Sequence, residues 1–155
     1  MYLGKNYRLT IIKNIRSENE LRFINGEFVA TIRSFKNSKS LIKDLYESWL
    51  LDNAQITFKE KVERCSKLIG IAVERINIKN LRKRWGSLAR DKNALNLNVN
   101  LLKAPDDVID YIILHELCHM KINGHSHHYW SLVRKYVPSY QEKIDWLNEN
   151  TSILV

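Results

Sequence analysis

The chain has 155 residues, of which 45% are hydrophobic and 27% charged, a composition typical of a globular domain large enough to bury a core. It carries a net charge of +8. Its two cysteines are far apart in the sequence, which argues against a disulfide framework and favours a reducing cytoplasm. Neither a membrane-spanning apolar run nor a secretory signal is evident, and we therefore expect one cytoplasmic domain over residues 1–155.

The N-terminal part, about residues 1–36, is predicted to be rich in β-structure. Leu9 to Lys13 contains a short run of β-branched residues, which favours a strand. Asn25-Gly26 lies between apolar flanks, a strong signal for a β-hairpin.

Residues 38–155 are predicted to form the helical core of the same domain. From Ser38 to Gly70, apolar residues recur at helical spacing. This pattern predicts one long helix or two helices broken near Asp52-Asn53, with the glycine as the end of the helical stretch.

A strand is predicted from Arg75 to Lys79, followed by a polar loop over residues 80–93. Leu95 to Leu101 then alternates leucine or valine with asparagine, which is typical of a half-buried strand. The asparagine side, which includes Asn98, is either the polar face of this strand or the border of a cleft that holds an extended substrate by β-addition.

The next predicted helix begins at Pro105, which together with the two aspartates after it favours a helix start. It continues to about Ile122, and Asn123-Gly124 is a natural helix end. The segment is apolar almost all the way round, which indicates a buried helix. A last helical region is predicted from Ser126, with an interruption at Pro138.

All five histidines lie within fourteen positions, on this helix and just after it. His115 and His119 are four residues apart and share one helical face, roughly 6 Å apart, where both imidazoles can reach one Zn²⁺. Glu116 projects about 100° round the helix, close enough to contact a metal-bound water without being a ligand. This is the H-E-x-x-H pattern of zinc hydrolases, in which the glutamate is the general base.

A catalytic zinc usually has three protein ligands, and the helix supplies only two. His125 follows His119 by six residues, with a glycine before it to turn the backbone, whereas His127 and His128 are rivals on spacing alone. The same six-residue step occurs in metzincins. Ile122, however, stands where that pattern has glycine, and no later methionine can form a Met-turn, which excludes that class.

Several segments together resemble the YgjP-like family of zinc metallopeptidases and, more distantly, SprT-like proteins. The resemblance covers nearly the whole chain and rests on five segments in a fixed order: YLGKNYRL, LYESWL, RWGS at residues 84–87, LNLNVNLLKAP and DYIILHELCHMKINGHSHHYW. Five separate segments in the right order are far more specific than H-E-x-x-H alone.

The resemblance implies a zincin-like α+β fold, with a small N-terminal β-sheet region and the H-E-x-x-H helix packed beside the sheet. It implies that His115, His119 and His125 bind the metal and that Glu116 is the catalytic glutamate. Leu88 departs from the family, which typically has cysteine directly after RWGS, but this departure removes no metal ligand.

Four other residues near the motif are weaker candidates for contact with a substrate. Arg84 is expected either to be structural or to bind an acidic group or a developing oxyanion. His127, His128 and Tyr129 each either donate a hydrogen bond to a reaction intermediate or belong to the packing and surface of the last helical region.

The densest basic patch comprises Lys79, Arg82, Lys83 and Arg84, and is either a solvated face or a contact for nucleic acid or a nucleotide. Three functions follow, of which the first is favoured. They are a metallopeptidase that uses one zinc ion or another divalent metal on peptides or proteins, a metal-dependent hydrolase of nucleotide phosphoanhydrides, and a DNA-associated SprT-like protease or binding protein.

Overall fold

The structure, a computed structural model, describes residues 1–154. The N-terminal sheet contains β1 (Leu9–Lys13), β2 (Glu20–Ile24) and β3 (Glu27–Ile32) in the order β1-β3-β2, with β1 parallel and β2 antiparallel to β3. The hairpin predicted at Asn25-Gly26 is confirmed. Both residues have positive φ, 52° and 78°, as the tight turn between paired strands requires.

The helical stretch after this sheet is one continuous helix, α1 (Ser38–Ile69), and not two. The side-chain amide of Asn53 donates a hydrogen bond to the carbonyl oxygen of Trp49 within the helix, so the asparagine does not break it. Buried residues also continue at steps of three or four across the expected break: Leu50, Ala54, Phe58, Val62, Cys65 and Ile69.

A second sheet lies between the long helix and the C-terminal helices, where two strands are predicted. It contains β4 (Arg75–Lys79), β5 (Gly86–Ala89) and β6 (Ala94–Asn98) in the order β4-β6-β5. The prediction of β4 is confirmed. The polar loop predicted over residues 80–93 is partly wrong, because four of its residues form β5 and pair antiparallel with β6.

The alternating segment that predicts a strand up to Leu101 is a strand only as far as Asn98. Residues Val99–Lys103 form a 3₁₀ turn, and the Asn98 side-chain oxygen accepts a hydrogen bond from the backbone N–H of Asn100 at its start. Since β6 is the central strand, both of its edges are paired and it has no free edge for β-addition.

The C-terminal half contains α2 (Asp106–Lys121), α3 (His127–Tyr136) and α4 (Tyr140–Glu149), followed by a 3₁₀ turn at Thr151–Leu154. These bounds confirm the buried helix after Pro105 and the interruption at Pro138. Within residues 1–154, no helix combines the length and apolar character needed to cross a bilayer.

Helix α2 is the centre of the core, packed between α1, α4 and the edge strand β5. Its buried face is almost entirely apolar and includes Ile109, Ile113 and Leu117. The fold is therefore α+β, as predicted, with the helix that carries H-E-x-x-H beside a small sheet. That sheet is β4-β6-β5 and not the N-terminal sheet, because it is β5 that contacts α2.

Candidate metal centre and active site

Three histidines converge near the C-terminal end of α2. His115 and His119 lie on α2 and His125 lies on the loop that follows, and one ligand atom from each lies within 4.8 Å of the others. Gly124 has a φ of 76°, a left-handed conformation that turns the chain directly before His125. The turn expected at Asn123-Gly124 thus brings the third imidazole back over the helix.

The ring nitrogens have the spacing of ligands around one ion. Nε2 of His125 lies 3.4 Å from Nε2 of His115, and two ligands of a tetrahedral Zn²⁺ at about 2.05 Å are about 3.3 Å apart. Nδ1 of His119 pairs with the carbonyl oxygen of Ile122 at 3.3 Å, which leaves Nε2 to bind a metal. The Tyr111 hydroxyl pairs in the same way with Nδ1 of His115 at 3.3 Å. This donor set fits a zinc ion.

Burial and the neighbouring charges keep the rings of His115 and His119 uncharged. Burial, followed by the charges of His119 and His125, lowers the pKa of His115 to about 3. Burial is also the main cause that lowers the pKa of His119. Both imidazoles are therefore neutral at neutral pH, which is the form that binds a metal.

Glu116 lies beside the histidines and is almost completely buried, with 9% of its surface exposed. Burial raises the pKa of its carboxyl group to about 7, while the backbone N–H of Leu88 and the charge of Arg84 partly oppose the shift. A buried carboxylate without a salt bridge is costly, and a cation held by the adjacent histidines would offset that cost.

Two cavities meet at Glu116. The histidine cavity, about 330 Å³, is lined by all three histidines, Glu116, Arg84 and Arg90. The apolar cavity, about 380 Å³, shares Arg84, His115 and Glu116 but extends away from the other two histidines. Its remaining wall is formed mainly by apolar side chains: Trp85, Ile112, Ile144, Leu147 and Leu154. An extended molecule bound across Glu116 would therefore occupy both cavities.

Asn98 does not line either cavity, in contrast to its possible role as a substrate contact. It is fully buried, and its side-chain amide donates a hydrogen bond to the carbonyl oxygen of Arg84 at 2.9 Å. Its backbone N–H donates to the carbonyl oxygen of Trp85. Asn98 therefore fixes the start of the RWGS segment, and the Arg84 side chain is left exposed at the boundary between the cavities.

The hydroxyl and the ring of Tyr129 both contact the metal-site histidines of α2. Its hydroxyl donates a hydrogen bond to the backbone carbonyl of His115 at 2.9 Å, and its ring stacks on that of His119 with 4.4 Å between centroids. Tyr129 is fully buried and packs against His115 and His119. His127 and His128 are exposed at the start of α3 and lie outside the three-histidine cluster.

Two neighbours of the cluster were not singled out by the sequence pattern. Tyr111 lies one helical turn before His115, and its position at i−4 is the signal that it shares the ligand face. Arg90 follows β5, lines the histidine cavity and donates a hydrogen bond to the carbonyl oxygen of Met120 at 3.4 Å. No motif marks it, because its approach to α2 depends on the path of β5.

Two comparisons with known proteins found matches to the chain. Residues 1–150 match the family described as YgjP-like, metallopeptidase domain. The chain belongs to the YgjP-like metallopeptidase family. Its fold is similar to the crystal structure of the metallopeptidase zymogen of Pyrococcus abyssi abylysin, with a TM-score of 0.54, 21% identity, and coverage of 59% of this chain and 93% of that chain. No curated protein matches the chain.

In this YgjP-like protein the position after RWGS is Leu88, half-buried in the wall of the histidine cavity. Leu88 interacts with the Glu116 carboxyl group through its backbone N–H. The interaction therefore does not use the Leu88 side chain.

Proposed function

We propose that the protein is a zinc-dependent peptidase in which His115, His119 and His125 bind one zinc ion and Glu116 is the general base. The observation that carries this proposal is the convergence of three imidazoles, with two Nε2 atoms 3.4 Å apart, directly beside a buried carboxyl group. Three protein ligands leave a coordination position open, as a catalytic zinc requires and a structural zinc does not.

A bound zinc supplies a Lewis acid that lowers the pKa of water and polarises a carbonyl group. The positive charge near Glu116 favours its ionised form, which is the form that accepts a proton. Glu116 takes the proton from the attacking water and passes it to the leaving amine. Its buried position limits its contacts with bulk water, which keeps the proton on this short path.

Two further parts of the chain act on the substrate in this proposal. The guanidinium of Arg84 lies at the boundary between the two cavities and stabilises the negative charge that develops on the carbonyl oxygen. Strand β5 is an edge strand that lines the histidine cavity, and the edge that faces away from β6 holds an extended peptide backbone. The β-addition considered for β6 is thereby assigned to β5.

The test is turnover of an unfolded protein, such as reduced casein, by the zinc-loaded wild type and by Glu116→Gln. We expect cleavage by the wild type and a loss of at least about 100-fold in kcat for the variant, with zinc retained, because general-base catalysis contributes on that scale. Nucleoside triphosphates are assayed beside casein. Turnover of triphosphates without cleavage of casein, or a fully active Glu116→Gln protein, contradicts the proposal.

A further inference from the structure

The apolar cavity beside Glu116 combines an apolar wall with a cationic rim. Ile112, Leu147 and Leu154 are each less than 8% exposed, so the wall is preformed by the core and by α4 and the turn after it. Lys83 and Arg84 also line the cavity, and both are exposed to solvent, so they form its mouth on that side. Among the described residues that line the cavity, Glu116 is the only acidic one. The mouth therefore presents uncompensated positive charge.

The position of this cavity relative to Glu116 defines which part of a substrate it receives. Glu116 delivers a proton to the leaving amine, so the leaving amine lies nearest to that carboxyl group. The apolar cavity begins at Glu116 and extends away from His119 and His125, which line only the other cavity. The residue that supplies the leaving amine consequently enters the apolar cavity.

We propose, on the basis of the peptidase function above, that this cavity selects a leaving group with a large apolar side chain and a nearby carboxylate held by Lys83. The apolar side chain gains from burial against Ile112 and Leu147. The carboxylate gains a charge-assisted hydrogen bond from Lys83 at the mouth. The carboxylate comes either from the C-terminus of the substrate, which makes the enzyme a carboxypeptidase, or from an acidic residue that follows the apolar one.

Binding to Glu116→Gln protein tests the proposal without turnover. Three peptides share an uncharged body and end in leucine with a free carboxylate, in leucinamide, or in leucine followed by glutamate amide. Calorimetry measures their Kd, and fluorescence of Trp85, which lines the cavity, reports entry. We expect at least one carboxylate peptide to bind about tenfold more tightly than the leucinamide peptide, a difference in the range of a charge-assisted hydrogen bond.

The two carboxylate peptides distinguish the sources. Preference for the free C-terminus assigns a carboxypeptidase, and preference for the glutamate peptide assigns an endopeptidase with an acidic requirement. Lys83→Met is expected to abolish the preference, while the matched variant Lys92→Met, an exposed lysine that lines neither cavity, keeps it. Equal binding of all three peptides, or a preference that survives Lys83→Met, overturns the proposal.

Cleavage of casein by the wild type separates failure of this inference from failure of the proposed function. Casein cleavage together with equal binding of the three peptides removes only the assignment of the apolar cavity. A carboxylate preference that depends on Lys83, in a zinc-loaded wild-type protein that cleaves neither casein nor the peptides, supports the cavity and removes the peptidase function.

Discussion

Gly86 lies against the side chain of Glu116, and a side chain at position 86 would be tightly packed there. A Cβ atom at position 86 would stand 3.3 Å from Cγ of Glu116 and 3.2 Å from Cγ2 of Ile112. The glycine of the RWGS segment therefore lets β5 approach α2 at the turn from which the proposed general base projects. The position of Glu116 depends on the strand as well as on its own helix.

Gly86→Ala is expected to displace the Glu116 side chain by a few tenths of an ångström. Because general-base catalysis requires close geometry, kcat on casein should fall at least about tenfold. The free energy of unfolding should fall by only about 1 kcal/mol, a typical cost of one added methyl group in a packed site. Zinc content measured beside activity is the control, since the histidines do not contact Gly86 in this way. Wild-type kcat in the variant contradicts the assigned contact.

Tyr111→Phe tests whether the tyrosine orients a ligand. When Nε2 of His115 binds zinc, its Nδ1–H donates to the Tyr111 hydroxyl oxygen, and loss of that partner is expected to weaken zinc affinity about tenfold. Competition with a chromophoric chelator measures the change. The matched control is Tyr129→Phe, another buried tyrosine, whose hydroxyl contacts the His115 backbone and not its ring. Tyr129→Phe should lower stability by about 1 kcal/mol with a smaller effect on zinc; equal zinc affinities in both variants contradict the orienting role.

The link between α2 and α4 gives a pH-dependent stability. A hydrogen bond from Lys143, at 2.5 Å, is the main cause that lowers the pKa of Asp107 below its usual value. An acid with a lowered folded pKa stabilises the fold above its unfolded pKa of about 3.9, and this contribution is lost as the pH falls through the folded value.

Asp107→Asn should therefore lower the free energy of unfolding by about 0.5–1 kcal/mol at pH 7, a small effect because the carboxylate is largely exposed. The difference from the wild type should shrink as the pH falls below about 4, as measured by urea unfolding. Glu142→Gln is the control for the loss of any carboxylate near Lys143, because the exposed Glu142 carboxylate lies 3.8 Å from the same lysine. A deficit in Asp107→Asn that is equally large at pH 3 contradicts the linkage.

Local patterns predict most of the fold, but not the elements that depend on distant pairing. The Asn25-Gly26 hairpin and the helix after Pro105 follow from turn chemistry and periodicity, which act over a few residues. The strand β5 has only four residues and becomes a strand because β6 pairs with it. The end of β6 at Asn98 depends on a side-chain cap that an alternating pattern conceals.

The residues of the site likewise divide into those that local patterns predict and those that depend on distant contacts. The spacing of His115 and His119 defines their shared face, and Asn123-Gly124 indicates a turn toward His125. The roles of Asn98 and Arg90, by contrast, come from contacts across 14 and 30 residues of chain, which no local pattern encodes. Sequence alone also leaves Tyr129 as a possible donor to substrate, since it does not show that the hydroxyl is bonded to the His115 carbonyl.

The most direct test of the central claim is the zinc content of His125→Ala and His127→Ala, two histidine variants two positions apart, measured by mass spectrometry of metals after exposure to zinc. His125 belongs to the three-histidine cluster and His127 does not. We predict one zinc ion per chain in the wild type and in His127→Ala, and a large loss of zinc in His125→Ala. Full zinc content in His125→Ala, or its loss in His127→Ala, would contradict the assigned metal centre.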